Sequence, residues 1–472
     1  MNFSDKKNEF DLIIIGGGAA GFSAAIKADE FKADTLLINS SLPIGGTCVN
    51  VGCIPTKFLL EVADHYHQLN NSRFKSLNSS SKIDFARLIE EKNELVNSLR
   101  EVNYQNVLNN LPYVTYIEGY ARFISDKEVE VEGRRFSGSK FIIATGSSPK
   151  VLPIPGLKET GFLTNREALE LNKLPESFLV IGAGPIGLEF AQMFSRLGSK
   201  VIVVELMERI LPQVEPIVSE ELKKSLIEEN IKIYTTAKIQ RVRKQDGKKL
   251  ADVEIENKIQ TFLVDEILLA TGLVGNSKDL GLENVGIETD KDGFIKVDEF
   301  LRASRLHIFA AGDITGAPWL ETVAAKEGNI AAQNALKNAK TKMDYSIIPY
   351  AIFTSPQIAS IGIKEEDSMR IFGNCLCQMV KMDRIPKAKI INDTKGLIYM
   401  VLHPESKKIL GVHIVSRLAS EIIHEATLAI KLGLTIEDII DTVHIFPTFS
   451  EAIKIVSQSF NRDMSKMSCC VE

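Results

Sequence analysis

Two cysteines five positions apart, in GGTCVNVGCIPTK (45–57), are the residues best equipped for chemistry in this chain. Cys48 and Cys53 together can accept two electrons and pass them on as a dithiol, and thiolates are the ligands that soft metal ions prefer. On a regular helix their spacing gives a rise of ~7.5 Å, more than the ~6.8 Å that a disulfide spans between Cα atoms. The helix must therefore be distorted between them, and Gly52 and Pro55 beside Cys53 allow this. Lys57, about one turn after Cys53, supplies positive charge to a thiolate.

A second thiol pair ends the chain, in SQSFNRDMSKMSCCVE. Adjacent cysteines form only a strained small ring, but Cys469 and Cys470 can jointly hold one soft cation. Taken alone, an incidental or lipidated terminal pair is the other reading. The remaining cysteines, Cys375 and Cys377, share one face of an expected strand. There, half-buried strand residues are the first reading and a metal-binding Cys-x-Cys the second.

The elements that position this chemistry follow one design used twice. FDLIIIGGGAAGFSAAIKA carries Gly16, Gly18 and Gly21, and FLVIGAGPIGLEFAQMF carries Gly182, Gly184 and Gly187, both as G-x-G-x-x-G between a strand and a helix. Second strands follow at 34–39 and 200–205. Gly16 to Asn39 and Gly182 to Glu205 both span 23 positions. Two such units in register predict two dinucleotide-binding folds, with each helix N-terminus facing a pyrophosphate. Glu205 at the strand end accepts ribose hydroxyls and repels a 2′-phosphate, favouring NADH over NADPH, whereas Asn39 is uncharged. FIIATG (141–146), ILLATG (267–272) and IFAAGDITG (308–316) read as further strands. The last places Asp313 where a carboxylate can bond ribityl or ribose hydroxyls. Beyond about 345 the texture becomes that of an α+β domain, with helices expected around 418–433 and 449–465.

Composition bounds the alternatives. A length of 472 residues suits about three domains. A net charge of −5 gives no reason to expect a nucleic-acid or anionic-membrane partner, and six cysteines are too few for a disulfide-stapled secreted scaffold. No window reaches the ~18 consecutive apolar residues of a membrane span. Lys6 and Lys7 before the run 12–26 imitate a signal peptide, but Gly16, Gly17, Gly18 and Gly21 interrupt it, so it reads as a strand turning into a helix. The expected location is cytoplasmic.

On these motifs, the chain resembles the pyridine nucleotide–disulfide oxidoreductases over essentially its whole length, and within them most closely the mercuric reductases. The resemblance implies an α/β protein with two Rossmann-like domains and a C-terminal α+β dimerisation domain. Its boundaries would be 1–150 and 273–344 for FAD, 151–272 for NAD(P), and 345–472 for dimerisation. It implies FAD and nicotinamide contacts at Gly46, Thr47, Lys57, Thr145, Gly146 and Gly272 besides the residues above. It also implies an ion pair between Lys57 and Glu189, and a homodimer whose active site is built across both subunits.

The segment VHIFPTFSEAIK separates the branches. Disulfide-reducing relatives carry His-Pro here, with Glu four residues after the Pro, because a released thiolate needs a proton. This chain has Phe446 before Pro447 yet keeps Glu451, and His444 is expected to point elsewhere. Metal reduction does not need that base, since a soft cation already holds thiolates deprotonated. Phe446 and the Cys469–Cys470 tail resemble the mercuric reductase branch. The expected activity is reduction of Hg(II) to Hg(0) by NADH or NADPH, with Hg(II) arriving on small thiols and passing from the tail to Cys48 and Cys53. Several positions depart from that branch: Thr448 replaces a Tyr, Leu273 an Arg, Glu205 disfavours NADPH, and the chain starts almost directly at the FAD strand. A lipoamide-type dehydrogenase using His444 or Glu451, and a soft-metal-binding flavoprotein without turnover, remain the alternatives. His413 and His424 read as packing or dimer contacts.

Overall fold

The computed structural model describes residues 8–463. Two compact units emerge: one from residues up to 56, 89–150 and 272–344, the other from 57–88, 151–271 and 345 onward.

In the first unit, the strand Glu9–Ile15 lies inside a parallel sheet, between Thr35–Asn39 and Arg134–Ile143, with Val114–Glu118 beyond Thr35–Asn39. Ile308–Ala310 pairs in parallel with the end of Arg134–Ile143. Leu12, Ile13 and Ile14 have no exposed surface, because a parallel strand is covered on both faces and its apolar residues run without alternation. The start of Arg134–Ile143 instead joins an antiparallel meander with Glu128–Val131 and Ala121–Ser125.

The second unit repeats the plan. Its parallel sheet runs in the order Lys232–Tyr234, Lys200–Val204, Ser177–Ile181, Glu266–Leu269. An antiparallel ladder, Ala237–Gln245 with Lys248–Ile255 and Lys258–Val264, accompanies it. From Tyr350 the same unit builds a five-stranded antiparallel sheet, ordered Tyr350–Ile352, Gln357–Gly362, Ile409–Ser416, Leu397–Leu402, Leu376–Lys381. The helices Ala419–Leu432 and Glu451–Gln458 share its core through Ile422, Ala426, Ala452 and Val456. The second helix stops sooner than the sequence pattern suggests, where Ser459 Oγ donates back to the Val456 carbonyl.

The loop after helix Ile436–Asp441 leaves its apolar side chains in solvent: Val443 is 84%, Ile445 80% and Phe446 48% exposed. Among the described residues no helix is long and apolar enough to cross a membrane.

Candidate functional site

A single residue bends the chain between the two expected redox cysteines. The helix Gly46–Val51 ends at Gly52, whose φ of −129° and ψ of −113° leave helical space, and an 18-residue helix, Cys53–Asn70, starts at once. A Cβ at Gly52 would stand 2.9 Å from the Thr47 carbonyl oxygen, so a side chain there has no room. The break replaces the long helical separation by direct contact: Cys48 shares its thiol proton with Cys53 and with the Glu321 carboxylate. The two cysteines are free rather than joined in a disulfide.

The two sulfurs are inequivalent. The hydrogen bond to Cys53, then burial and the negative charge at Cys53 and Glu321, push the Cys48 thiol far up. Cys53 opens a long helix, at the positive end of its dipole, where a thiolate is favoured. Glu321, first residue of the helix Glu321–Lys337, accepts hydrogen bonds from Cys48 and Tyr104, and burial raises its own carboxyl. Neither Glu321 nor Tyr104 carries a spacing signal in the sequence; only the fold brings them to Cys48.

The two nucleotide cradles match atom for atom. Gly16 sits at φ +116° and Gly182 at φ +103°, and a Cβ would lie 2.1 Å from the Ala144 oxygen and 2.3 Å from the Ala270 oxygen respectively. A Cβ at Gly21 would meet Gly16 O at 1.8 Å, and one at Gly187 would meet Gly182 O at 2.1 Å. The outer glycines are thus demanded by the protein's own backbone. The middle ones are not: a Cβ on Gly184 meets nothing within 4 Å, and one on Gly18 only Gly46 Cα at 3.7 Å. Each begins a helix whose first N–H groups receive no side-chain cap. Open backbone at an uncapped helix N-terminus is what a dinucleotide pyrophosphate requires. The residues present therefore fit one dinucleotide in each unit, as FAD and a nicotinamide dinucleotide both are.

Around the first cradle, Gly46, at φ +62°, brings the dithiol segment against Gly18, with a Cβ there only 2.6 Å from Gly18 Cα. Thr47 is exposed beside Cys48. Asn39 accepts from Gly17 N–H at 3.1 Å and donates to the Leu42 carbonyl at 2.9 Å, so it braces the loop from within. Ser147 donates to Asp313 at 2.9 Å, and burial raises the Asp313 carboxyl. Thr145 Oγ1 donates to the Asn276 carbonyl while Asn276 Nδ2 donates to the Thr145 carbonyl, both at 2.9 Å. Glu327 accepts the Gly312 N–H at 2.7 Å and fixes the turn that presents Asp313. Sequence reasoning missed Asn276 and Glu327, which act on backbone far away in the chain. Gly146 and Gly272, both at positive φ, face open space.

In the second unit, Glu205 closes its own cradle. One carboxylate oxygen accepts from Ala183 N–H at 2.7 Å, the other from Met207 N–H at 2.9 Å. Lys57 donates to Glu189 at 2.7 Å, and the second Glu189 oxygen accepts the Phe353 N–H at 2.9 Å. Lys57 Nζ also lies 4.7 Å from the Phe353 ring centroid.

Near the end of the chain, both ring nitrogens of His444 have partners within its own subunit. Its Nε2 lies 2.8 Å from Glu425 and its Nδ1 3.0 Å from the Thr442 carbonyl. Glu451 accepts the Thr448 N–H at 3.1 Å. His413 is buried against the Ile363 carbonyl at 3.1 Å, and His424 is exposed. Leu273 opens a short strand that pairs with Ser147–Pro149. Cys469 and Cys470 lie outside the described residues. Both Cys375 and Cys377 are half-buried; Cys377 lies on the strand Leu376–Lys381, Cys375 stands just before it, and the structure bridges their sulfurs.

The sequence profile described as pyridine nucleotide-disulphide oxidoreductase matches residues 10–328, and the profile of that family's dimerisation domain matches 348–456. This chain belongs to the pyridine nucleotide–disulphide oxidoreductase family. FAD and a pyridine nucleotide are the cofactors of that family, and the two cradles accommodate them. A mercuric reductase of Staphylococcus aureus is 38% identical over 99% of this chain and 85% of its own length. A mitochondrial dihydrolipoyl dehydrogenase of Arabidopsis thaliana is 35% identical over 96% of this chain and 90% of its own. Among solved structures, an HOCl-induced flavoprotein disulfide reductase, RclA from Escherichia coli, superposes with a TM-score of 0.85 at 29% identity, covering 95% of this chain and 99% of that one.

Proposed function

We propose that this oxidoreductase reduces Hg(II) to Hg(0), consuming NADH and releasing NAD⁺ and a proton. The observation that carries the reading is the missing acid–base group: Phe446 stands before Pro447, and the nearby His444 is committed to Glu425. General acid–base help is worth ~10²–10⁴ in rate, so a disulfide reductase without it would be slow. A metal ion makes no such demand.

When bound, FAD relays two electrons from the nicotinamide to the dithiol site. Cys53, at the helix start, serves as the thiolate, and Lys57, anchored by Glu189, keeps positive charge one turn along the same helix. Cys48, holding its proton against Cys53 and Glu321, is the exchanging thiol. It gives that proton up as the ion arrives, and Glu321 is placed to take it. Cys469 and Cys470 collect Hg(II) from small thiols and pass it on by ligand exchange. The chain acts as a homodimer, with the tail and the Phe446 loop of one subunit serving the dithiol of the other. The matched dimerisation domain and the apolar loop around Ile445 support this. Glu205 supports NADH, since a 2′-phosphate would meet its carboxylate. The cofactor-contacting residues are Gly16, Gly18, Gly21, Asn39, Gly46, Thr47, Thr145, Gly146 and Asp313 for FAD, with Gly182, Gly184, Gly187, Glu205 and Gly272 for the nicotinamide dinucleotide.

A second reading is a lipoamide- or RclA-like disulfide reductase. The retained Glu451 and the similarity to a dihydrolipoyl dehydrogenase favour it. Nicotinamide oxidation with Hg(II) in excess small thiol, run beside oxidised lipoamide and glutathione with NADH and NADPH, separates the two. Turnover confined to Hg(II), and lost in the C469S/C470S double variant, is expected. Turnover with a disulfide but not with Hg(II) would establish the second reading, and an unchanged rate in the double variant would remove the tail from delivery.

A further inference from the structure

We infer that Cys375, Cys377 and Glu365 form a second, thiol-gated site for a soft divalent cation, on the edge of the C-terminal sheet. One ligand atom from each residue lies within 4.8 Å of the others. Bonds of about 2.0–2.3 Å to a common ion hold such atoms within about 4.6 Å of one another, close to this limit. Glu365 begins the helix Glu365–Phe372, and Cys377 lies on Leu376–Lys381, an outer strand of the sheet.

The surroundings hold Glu365 as a ligand should be held. Tyr399 Oη donates to its carboxylate, and Glu365 N–H donates to the buried Glu215 at 3.1 Å. Cys377 sits opposite Val401, and the next same-face pair along the ladder is Met379 with Tyr399, so Tyr399 shares the face of the sulfurs. Hydrogen-bonded outer groups of this kind orient ligands and raise affinity. Glu365 is exposed and both cysteines half-buried, so an ion can enter from solvent. Two thiolates and one carboxylate select zinc, cadmium or mercury over magnesium or calcium.

In the structure the two sulfurs are bonded to each other, which closes the site. Two equivalents of a small thiol open it: the Cys375–Cys377 bond breaks, the pair becomes a dithiol, and the small thiols leave as their own disulfide. A divalent cation then forms bonds to both sulfurs and releases two protons. The site is therefore shut under oxidising conditions and open under reducing ones. It uses no residue of the Cys48–Cys53 centre.

The test uses the full-length, FAD-loaded chain carrying Cys48→Ser, Cys53→Ser, Cys469→Ser and Cys470→Ser, with Cd(II) as the probe. After reduction and anaerobic removal of thiol, it should bind one more equivalent than the same protein with C375S/C377S added, and show cadmium–thiolate absorbance. Equal stoichiometry would overturn the site. So would equal binding by the oxidised chain, because the ligands would then not be thiolates. Glu365→Gln should weaken Cd(II) by ~10-fold or more, and unchanged affinity would remove the carboxylate from the ligand set. In the native sequence, Cd(II) should protect both Cys375 and Cys377 from alkylation mapped by mass spectrometry. Unprotected cysteines would refute the proposal without any substitution.

Discussion

Glu189 holds two groups with its two oxygens, the Lys57 ammonium at 2.7 Å and the Phe353 amide at 2.9 Å, while its side chain is only 5% exposed. A carboxylate buried this deeply on an apolar helix needs both partners. Lys57 keeps 34% of its side chain in solvent, so water compensates part of its charge if Glu189 is neutralised. Glu189→Gln should cost about 1–2 kcal/mol in urea unfolding of the FAD-loaded enzyme and lower turnover about tenfold. Lys57→Met leaves the buried Glu189 carboxylate without its cation, so it should cost more, about 3 kcal/mol, and reduce turnover further, about 10²-fold, on the scale of a lost electrostatic group. Equal rates in both variants would detach the pair from catalysis.

The glycines divide into structural and ligand-facing sets, and substitution should expose the division. Gly187→Ala places a methyl 2.1 Å from the Gly182 oxygen and should destabilise the protein by about 2–4 kcal/mol. Gly184→Ala meets no protein atom, so the melting temperature should stay within about 2 °C while the KM for the nicotinamide rises at least tenfold. A Gly184 variant that unfolds would contradict the open cradle.

Burial pulls His413 down to about 4, opposed by its hydrogen bond to the Ile363 carbonyl and by the Asp367 charge, with the Lys364 charge adding to the fall. The unfolded value is near 6.5, so the native state favours the neutral ring. The resulting stability is present above about pH 6.5 and disappears as pH falls toward 4. Its size is about 3 kcal/mol. Urea unfolding between pH 7 and 4.5 should show this loss, and His413→Gln should remove that part of the slope. An unchanged slope would mean that water reaches the ring.

Glu321 raises the Cys48 thiol by charge and by accepting its hydrogen bond. Glu321→Gln removes the charge, so the pH at which Cys48 becomes alkylatable should move down. Peptide mapping of iodoacetamide labelling across pH reads this without turnover. A midpoint that stays or rises would show that Glu321 does not share the thiol proton.

What the sequence disclosed follows from where the constraint is local. Both glycine motifs and the break at Gly52 were legible because backbone contact within a few residues, or with the adjoining strand, dictates each position. The inequivalence of Cys48 and Cys53 was only half legible. Lys57 is near in sequence, but Glu321 and Tyr104 reach Cys48 through the sheet order, which no spacing encodes. Asn276 and Glu327 were hidden for the same reason, since each bonds a backbone group that any residue type would offer. Cys377 was rightly placed on a strand, whereas Cys375 stands just before it, and Glu365, ten residues before Cys375 and on another element, gave no hint of belonging with them.

The exposed Val443, Ile445 and Phe446 have a genetic consequence. If that loop serves a neighbouring subunit, each catalytic centre is a joint product of two polypeptides. A copy with a dead dithiol still has a working tail, and a copy with a dead tail still has a working dithiol. Co-expressed, two silent alleles would restore one intact centre in every mixed dimer, whereas a copy lacking both would lower the output of an intact gene beside it.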